Sequence, residues 1–165
     1  MELLMEAANM ELLTVKSNAF AEGSLIPIRY TARGADLSPD FELAGIAENA
    51  KSIAITCDDA SHPLFPNYNH WLIWNIPVQE VIPEGIPRGA TVDRLGGAIQ
   101  GLAYGRNRYK GPKPPLKALH TYVFTVYVLD CKMDLGANAR KRDLMNRMEG
   151  HILQQATLSG KFKSC

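Results

Sequence analysis

Alternating apolar and polar positions predict a chain built mainly of β-strands. The pattern is clearest in three segments rich in β-branched and aromatic residues, at 52–59, 68–76 and 120–130. Such residues are enriched in strands, and side chains on a strand point alternately to its two faces. Residues 120–130 read HTYVFTVYVLD and alternate most regularly. His120 and Tyr122 lie on one face of this segment, together with every second residue after them, all of which are apolar up to residue 128. We therefore predict three long strands here.

Weaker patterns predict shorter strands around these three. We expect a first strand over 12–17 and a brief one over 41–43. Residues 26–30 also alternate, and Pro27 favours an edge position because it has no backbone N–H to give to a neighbouring strand. Weak alternation over 157–163 predicts a final strand.

The C-terminal part carries the helical signals. Apolar residues within 137–149 recur at helical spacing, Asn138 is a candidate N-cap, and Gly150 is a natural stop. A short second helix is expected over 151–156. Strands first and helices late favour an antiparallel sheet with helices packed at one end. A βαβ nucleotide-binding fold is disfavoured because no strand is followed by a G-x-G-x-x-G or Walker-type loop.

A long stretch, 78–117, separates the second and third strong strands. It holds seven glycines and five prolines, so regular structure is hard to sustain there. Loops of this length in compact domains are often functional. Two interpretations stay open: a solvated charged surface, or a wall and gate for an anionic ligand. The stretch is rich in basic residues, namely Arg88, Arg94, Arg106, Arg108, Lys110, Lys113 and Lys117.

Composition bounds the class of protein. A chain of 165 residues with 46% hydrophobic and 21% charged residues is an ordinary globular domain. Its 18 Lys and Arg against 17 Asp and Glu lack the basic excess of a nucleic-acid binder. Three cysteines without a C-x-x-C pair argue against a disulfide framework and suit a reducing compartment.

The N-terminus also bears on location and domain limits. No apolar run approaches the ~20 residues of a membrane-spanning helix, and the start lacks the positive segment of a secretory signal. We therefore expect a cytoplasmic protein without a membrane span. Met-Glu-Leu-Leu occurs at 1–4 and again at 10–13. Residues 1–9 are predicted to be an arm or extension, and 10–165 a single domain.

Three titratable residues stand at unusual places on the predicted strands. Asp59 ends an apolar strand, His70 lies within an aromatic one, and His120 opens the strongest. Each has an ordinary structural explanation, as a hydrogen-bonded core histidine or a turn-forming aspartate. Yet ionisable groups on the inward face of a strand cost desolvation energy unless paired, and such groups often mark sites.

Together the three residues permit three kinds of chemistry. They could hold a divalent metal, serve as a base and its orienting partner beside a nucleophile, or donate hydrogen bonds to an oxyanion. The metal alternative lacks an H-x-x-x-H or C-x-x-C motif, and the nucleophile alternative lacks a G-x-S-x-G elbow. The basic stretch favours the anion.

Several blocks resemble the phosphatidylethanolamine-binding protein family, above all its bacterial and archaeal branch, often described as Raf kinase inhibitor-like. The resemblance runs from about Met10 to the end of the chain, and the order and spacing of the blocks make it specific. The blocks are DDASHP (58–63), NHWLIWNIP (69–77), PEG (83–85), YKGPKPP (109–115), HTYVFTVYVLD (120–130) and GHILQQATLSGKF (150–162).

The resemblance implies a fold and a pocket. The fold is mostly β: a central antiparallel sheet with a second smaller sheet and C-terminal helices. The pocket lies at the sheet edge and binds phosphate-like and carboxylate-like anions, including phospholipid head groups. The positions matching its ligand-binding residues are Asp59, His70, His120 and Tyr122, with a proline-rich wall at Pro112, Pro114 and Pro115.

The chain departs from the family pattern beside that pocket. Ser61 replaces an acidic residue and His62 follows it, which removes one negative charge. Lys113 stands where relatives often carry Cys. All three changes favour anions and leave the head-group specificity open.

We therefore predict a non-enzymatic binding protein with a small-anion pocket, which regulates a kinase or protease partner as some family members do. No catalytic residue, metal or cofactor is assigned. The resemblance also implies a homodimer. The alternative is a hydrolase that uses Asp59, His70 and His120, with or without a metal.

Overall fold

The computed structural model describes residues 12–164. The predicted arm at 1–9 and the terminal Cys165 lie outside the described residues.

Two antiparallel sheets and one α-helix make up the regular structure of the described residues. The smaller sheet has the order β1-β2-β5, and the larger has the order β6-β7-β4-β3-β8-β9. The helix α1 spans Lys141–Met148. The strands are β1 (Thr14–Lys16), β2 (Phe41–Ala44), β3 (Ser52–Asp59), β4 (Tyr68–Ile76), β5 (Val81–Ile82), β6 (Thr91–Val92), β7 (Ala98–Gln100), β8 (Leu119–Leu129) and β9 (Ile152–Lys163). The predicted mostly-β fold with a larger and a smaller antiparallel sheet is confirmed.

The strand β3 is covered on both faces. All eight of its residues are buried. Ile53 and Ile55 belong to a hydrophobic core that also contains Phe41 of the smaller sheet. Ala54 belongs to a second core, which includes Leu144 of α1. Burying a large apolar side chain contributes roughly 1.5–3 kcal/mol, so this double cover anchors the centre of the larger sheet.

Two expected elements are wrong. Residues 26–30 do not form an edge strand, because the Tyr30 amide donates to the Pro27 carbonyl (3.0 Å) and closes a 3₁₀ turn at Ile28–Tyr30. Residues 151–156 form no second helix. Residues 152–156 belong to β9, which pairs with β8 and satisfies the backbone of this segment with interstrand hydrogen bonds.

Two further expectations need adjustment. The helix predicted over 137–149 begins at Lys141, after Arg140, whose amide donates to Asp143 Oδ2 (2.9 Å), so Asn138 is not the N-cap. The stretch 78–117 is not irregular throughout, since three short strands and a 3₁₀ turn lie within it.

The outer edge of β9 is partly occupied by the loop that follows β1. The Gly23 amide donates to the Ser159 carbonyl (2.8 Å), and the Ile26 amide donates to the Lys161 carbonyl (2.7 Å). In return the Lys161 amide donates to the Ser24 carbonyl (2.9 Å). The opposite edge of the sheet, β6, has only two residues.

Within residues 12–164, no helix has the length and apolar character needed to cross a membrane.

Candidate functional site

A buried aspartate–histidine pair lies where β3 ends and β8 begins. Antiparallel pairing sets Asp59 opposite Tyr122, which brings His120 beside the carboxylate. His120 Nδ1 and Asp59 Oδ2 are 2.7 Å apart, and the two residues are 8% and 3% exposed. The other carboxylate oxygen accepts the Ser61 amide (2.9 Å). Because a carboxylate accepts, Nδ1 of His120 carries the hydrogen and Nε2 is left for a ligand.

His70 is held by hydrogen bonds at both ring nitrogens. Nδ1 donates to the Lys110 carbonyl (2.7 Å), so Nε2 of the neutral ring accepts from the Tyr104 hydroxyl (3.3 Å). Burial lowers the pKa of His70, which keeps the ring neutral at pH 7. His70 therefore positions the Tyr104 hydroxyl as a neutral ring.

Tyr122 joins the two histidines. It is 1% exposed, its ring meets His70 edge-on at 5.3 Å and lies 6.4 Å from the ring of His120. Burial raises the pKa of the Tyr122 phenol, and its oxygen hydrogen-bonds the backbone of Lys113. The phenol is therefore neutral.

The three prolines surround that backbone contact. Pro112 and Pro114 are buried and Pro115 is exposed. The Pro112 carbonyl accepts the Ala32 amide (3.0 Å), and the Pro114 carbonyl accepts the Ser164 hydroxyl (2.7 Å). These bonds tie the segment to the rest of the protein, so it supports Tyr122; contact of the prolines with a ligand stays a prediction.

Two tyrosines beside these residues, Tyr68 and Tyr104, were not among the predicted site residues. Tyr68 shares the strand face of His70, a parity that could have identified it, and it stacks on His62 at 4.9 Å. Tyr104 meets the rings of Tyr68 and His70 edge-on at 5.2 and 5.1 Å. Burial raises the pKa of Tyr104 to about 12. Tyr104 lies in no strand pattern, so only the folded arrangement reveals it.

A cavity of about 360 Å³ lies next to this group of residues, and we call it the basic cleft. Its lining includes Tyr104 but none of Asp59, His70, His120 and Tyr122. Four of the seven basic residues of the 78–117 stretch line it. The lining residues are Ala32, Asp36, Ala103, Tyr104, Arg106, Arg108, Lys110 and Lys113.

The one cluster of potential metal ligands among the described residues lies at the far end of the larger sheet. The ligand atoms of Asp130, Cys131 and His151 lie within 4.8 Å of one another. Asp130 and Cys131 directly follow Leu129, which pairs with Ser52 at the start of β3, and His151 directly precedes Ile152, which also pairs with Leu129. Asp59 lies at the opposite end of β3. The cluster is therefore remote from the pocket residues.

Two packed antiparallel sheets with a buried Asp–His pair at one strand end define a class of mostly-β proteins. The model of the phosphatidylethanolamine-binding protein family matches residues 16–163, and the chain belongs to that family. The family membership predicted from the sequence blocks is thus confirmed.

The relatives are archaeal and bacterial. A UPF0098 protein of Pyrococcus abyssi is 43% identical over 149 residues, which cover 89% of this chain and 83% of that protein. A UPF0098 protein of Methanothermobacter thermautotrophicus is 37% identical over 153 residues, covering 92% of this chain and 99% of the relative.

Solved structures agree with the fold. A phosphatidylethanolamine-binding protein homologue of Chlamydia trachomatis superposes with a TM-score of 0.81 at 29% identity, covering 94% of this chain and 99% of that one. YbcL of E. coli, described as a member of the mammalian family, gives a TM-score of 0.85 and covers 93% and 99%. At 23% identity YbcL shows the fold alone.

Proposed function

We propose that this protein is a non-enzymatic binding protein whose pocket, formed by Asp59, His70, His120 and Tyr122, holds a small phosphate-like or carboxylate-like anion. The buried contact between His120 and Asp59 at 2.7 Å carries the proposal. It fixes the imidazole and directs its second nitrogen to the ligand.

The chemistry follows from the hydrogen bonds already made. With Nδ1–H held by Asp59, a protonated His120 donates Nε2–H to an anion, and charge-assisted bonds of this kind are about twice as strong as neutral ones. Neutral His70 orients Tyr104 through the 3.3 Å contact, and the phenol of Tyr122 adds a fixed polar group. Apolar surroundings strengthen each interaction, because a low local dielectric screens charges less than water does.

A decisive experiment is isothermal titration of phosphate, phosphoethanolamine and acetate into wild type and His120→Gln at about pH 6 and pH 8. We expect saturable binding of at least one of the three anions to the wild-type protein. Loss of one charge-assisted hydrogen bond should weaken binding in the variant by about tenfold or more.

Lys51→Gln is the matched control, since Lys51 is exposed and directly precedes the far end of β3. Folded protein that takes up none of the three anions, or a His120→Gln variant that binds as wild type does, would contradict the proposal.

We further propose that the anion-bound protein regulates a kinase or protease partner in the cytoplasm, as the family resemblance implies. Pull-down from the native host, with and without phosphoethanolamine, tests this. Recovery of no kinase or protease in either condition argues against it.

One observation favours a second candidate function. A histidine oriented by a buried aspartate is also the arrangement that activates a nucleophile in hydrolases. A panel of carboxylic and phosphoric esters, with and without Zn²⁺ or Mn²⁺, separates the candidates. Turnover abolished by His120→Gln or His70→Ala would establish the hydrolase and refute the purely binding function.

A further inference from the structure

The basic cleft has an excess of positive charge. Four cationic side chains line it, and the one carboxylate among its lining residues is Asp36. Asp36 Oδ2 accepts from Arg108 at 2.6 Å, and its Oδ1 accepts the Gly111 amide at 2.7 Å. Asp36 is therefore occupied in holding Arg108 and the chain at Gly111.

The other three cations keep their charge unneutralised. Within residues 12–164, no carboxylate lies within ion-pair distance of Arg106, Lys110 or Lys113. The Lys110 ammonium rests on the Tyr104 ring, 3.8 Å from its centroid, which orients the charge without cancelling it. Positive charges gathered in a concave site focus the electric field there and attract anions.

The cleft and the pocket share their structural parts. Tyr104 lines the cleft and gives its hydroxyl to His70. Lys110 lines the cleft while its carbonyl accepts from His70, and Lys113 lines it while its backbone bonds the Tyr122 hydroxyl. The basic cleft is thus adjacent to the residues of the proposed pocket.

Two residues that line the cleft have a left-handed backbone conformation. Ala103 and Arg106 exchange backbone hydrogen bonds of 3.2 and 3.1 Å across a two-residue turn. Its central residues, Tyr104 and Gly105, have φ of 52° and 70°, the type I′ pattern that prefers Asn, Asp or Gly at both places. Asp36, on the same cleft, has φ of 58°. Strain of this kind persists mainly where function requires the residue.

From these observations we infer that the basic cleft is a second anion subsite, and that the ligand is a small molecule with two anionic groups, one in the pocket and one between Arg106, Lys110 and Lys113. Only the placement of one anionic group in the pocket rests on the proposed function. The second anionic group is assigned from the positive charges of the basic cleft itself.

The test uses methylphosphonate as the single anion and alkane-α,ω-bisphosphonates with two to six methylenes as the double anions. Each is titrated calorimetrically into the full chain at constant ionic strength, because screening weakens exposed charges. We expect at least one bisphosphonate to bind about tenfold or more tightly than methylphosphonate.

Variants assign that gain to the cleft. The double variant Arg106→Gln/Lys113→Gln should lose the gain and keep its affinity for methylphosphonate within about threefold, since it removes charge-assisted bonds to the second group alone. Lys51→Gln/Lys132→Gln removes the same charge at exposed residues at the far end of the larger sheet and should bind as wild type.

The outcomes separate this inference from the proposed function. If no bisphosphonate exceeds methylphosphonate, or if both double variants lose equally, the subsite is refuted while the pocket stands. If His120→Gln leaves every affinity unchanged while Arg106→Gln/Lys113→Gln lowers them, the pocket is refuted and the cleft stands as an anion site in its own right.

Discussion

At the scale of single residues, His70 gives the protein a pH-dependent stability. Burial lowers its pKa below the ordinary 6.5, so the unfolded chain binds a proton there more readily than the folded protein does. Stability is therefore complete above about pH 7 and is lost as the pH falls below 6.5 toward the lowered pKa. One such group changes the free energy of unfolding by at most about 1.4 kcal/mol per pH unit.

Chemical denaturation between about pH 7.5 and pH 5 measures this effect. We expect the stability of wild type to fall over that range and that of His70→Gln to fall less steeply, since glutamine can still donate to the Lys110 carbonyl and does not titrate. Lys51→Gln changes an exposed residue that forms no ion pair with any residue the structure describes and should keep the wild-type slope. Equal slopes in wild type and His70→Gln would contradict the assignment.

Residue parity explains which site residues could be predicted. Asp59 and His120 lie on strands whose alternation is visible in the sequence, and antiparallel pairing brings them together. Tyr104 lies in a two-residue turn that contacts His70, and the sequence around it has no periodic pattern of apolar and polar residues. The neutral state of His70 was also hidden, because it depends on how deeply the folded protein buries the ring.

At the scale of elements, the segment around Gly111 contributes residues to the basic cleft and to the proposed anion pocket. A Cβ at Gly111 would lie 2.5 Å from the Tyr30 carbonyl oxygen and 2.9 Å from Thr31 Cα. Both atoms are backbone and cannot move aside cheaply. Gly111→Ala should therefore push the segment away, destabilise the fold by about 1–3 kcal/mol and weaken phosphate binding.

Thermal denaturation and phosphate titration of the same protein check this prediction. Gly136→Ala is the matched control, because its Cβ would meet only the end of the Asn138 side chain, at 3.2 Å. A Gly111→Ala protein as stable as the control would show that the segment yields more easily than the packing indicates.

Elements were predictable where local pattern and long-range pairing agree. The segments 52–59 and 68–76 became β3 and β4 with the predicted bounds, and 120–130 became β8 within a residue at each end. Prediction failed at 26–30 and 151–156, where the local pattern was overruled. A turn closed by Pro27 replaced a strand, and pairing with β8 replaced a helix.

At the scale of the whole molecule, the family resemblance predicts a homodimer, and the surface offers a place for it. Three exposed leucines border the end of β9: Leu25 bridges to Lys161, Leu116 bridges to Ser164, and Leu119 pairs with Lys163. They are 67%, 63% and 53% exposed. Exposed apolar side chains gathered in one area are typical of protein interfaces.

Light scattering of the full chain should therefore give twice the chain mass, and Leu116→Glu should shift the population toward the monomer because a charge would be buried at the interface. Lys51→Gln should leave the mass unchanged. A clean monomer mass for wild type would remove the homodimer.

The loop covering the edge of β9 has a consequence for solubility. A long strand with bare N–H and C=O groups is a template for adding further chains, which is how many sheet proteins aggregate. The backbone amides of Gly23 and Ile26 already bond to part of the β9 edge. At the other edge of the sheet, β6 is too short to pair stably with another chain. Proteolysis within this loop would release the hydrogen bonds at the β9 edge and leave that edge open to pairing with another chain, so nicked protein should form fibrous aggregates more readily than intact protein.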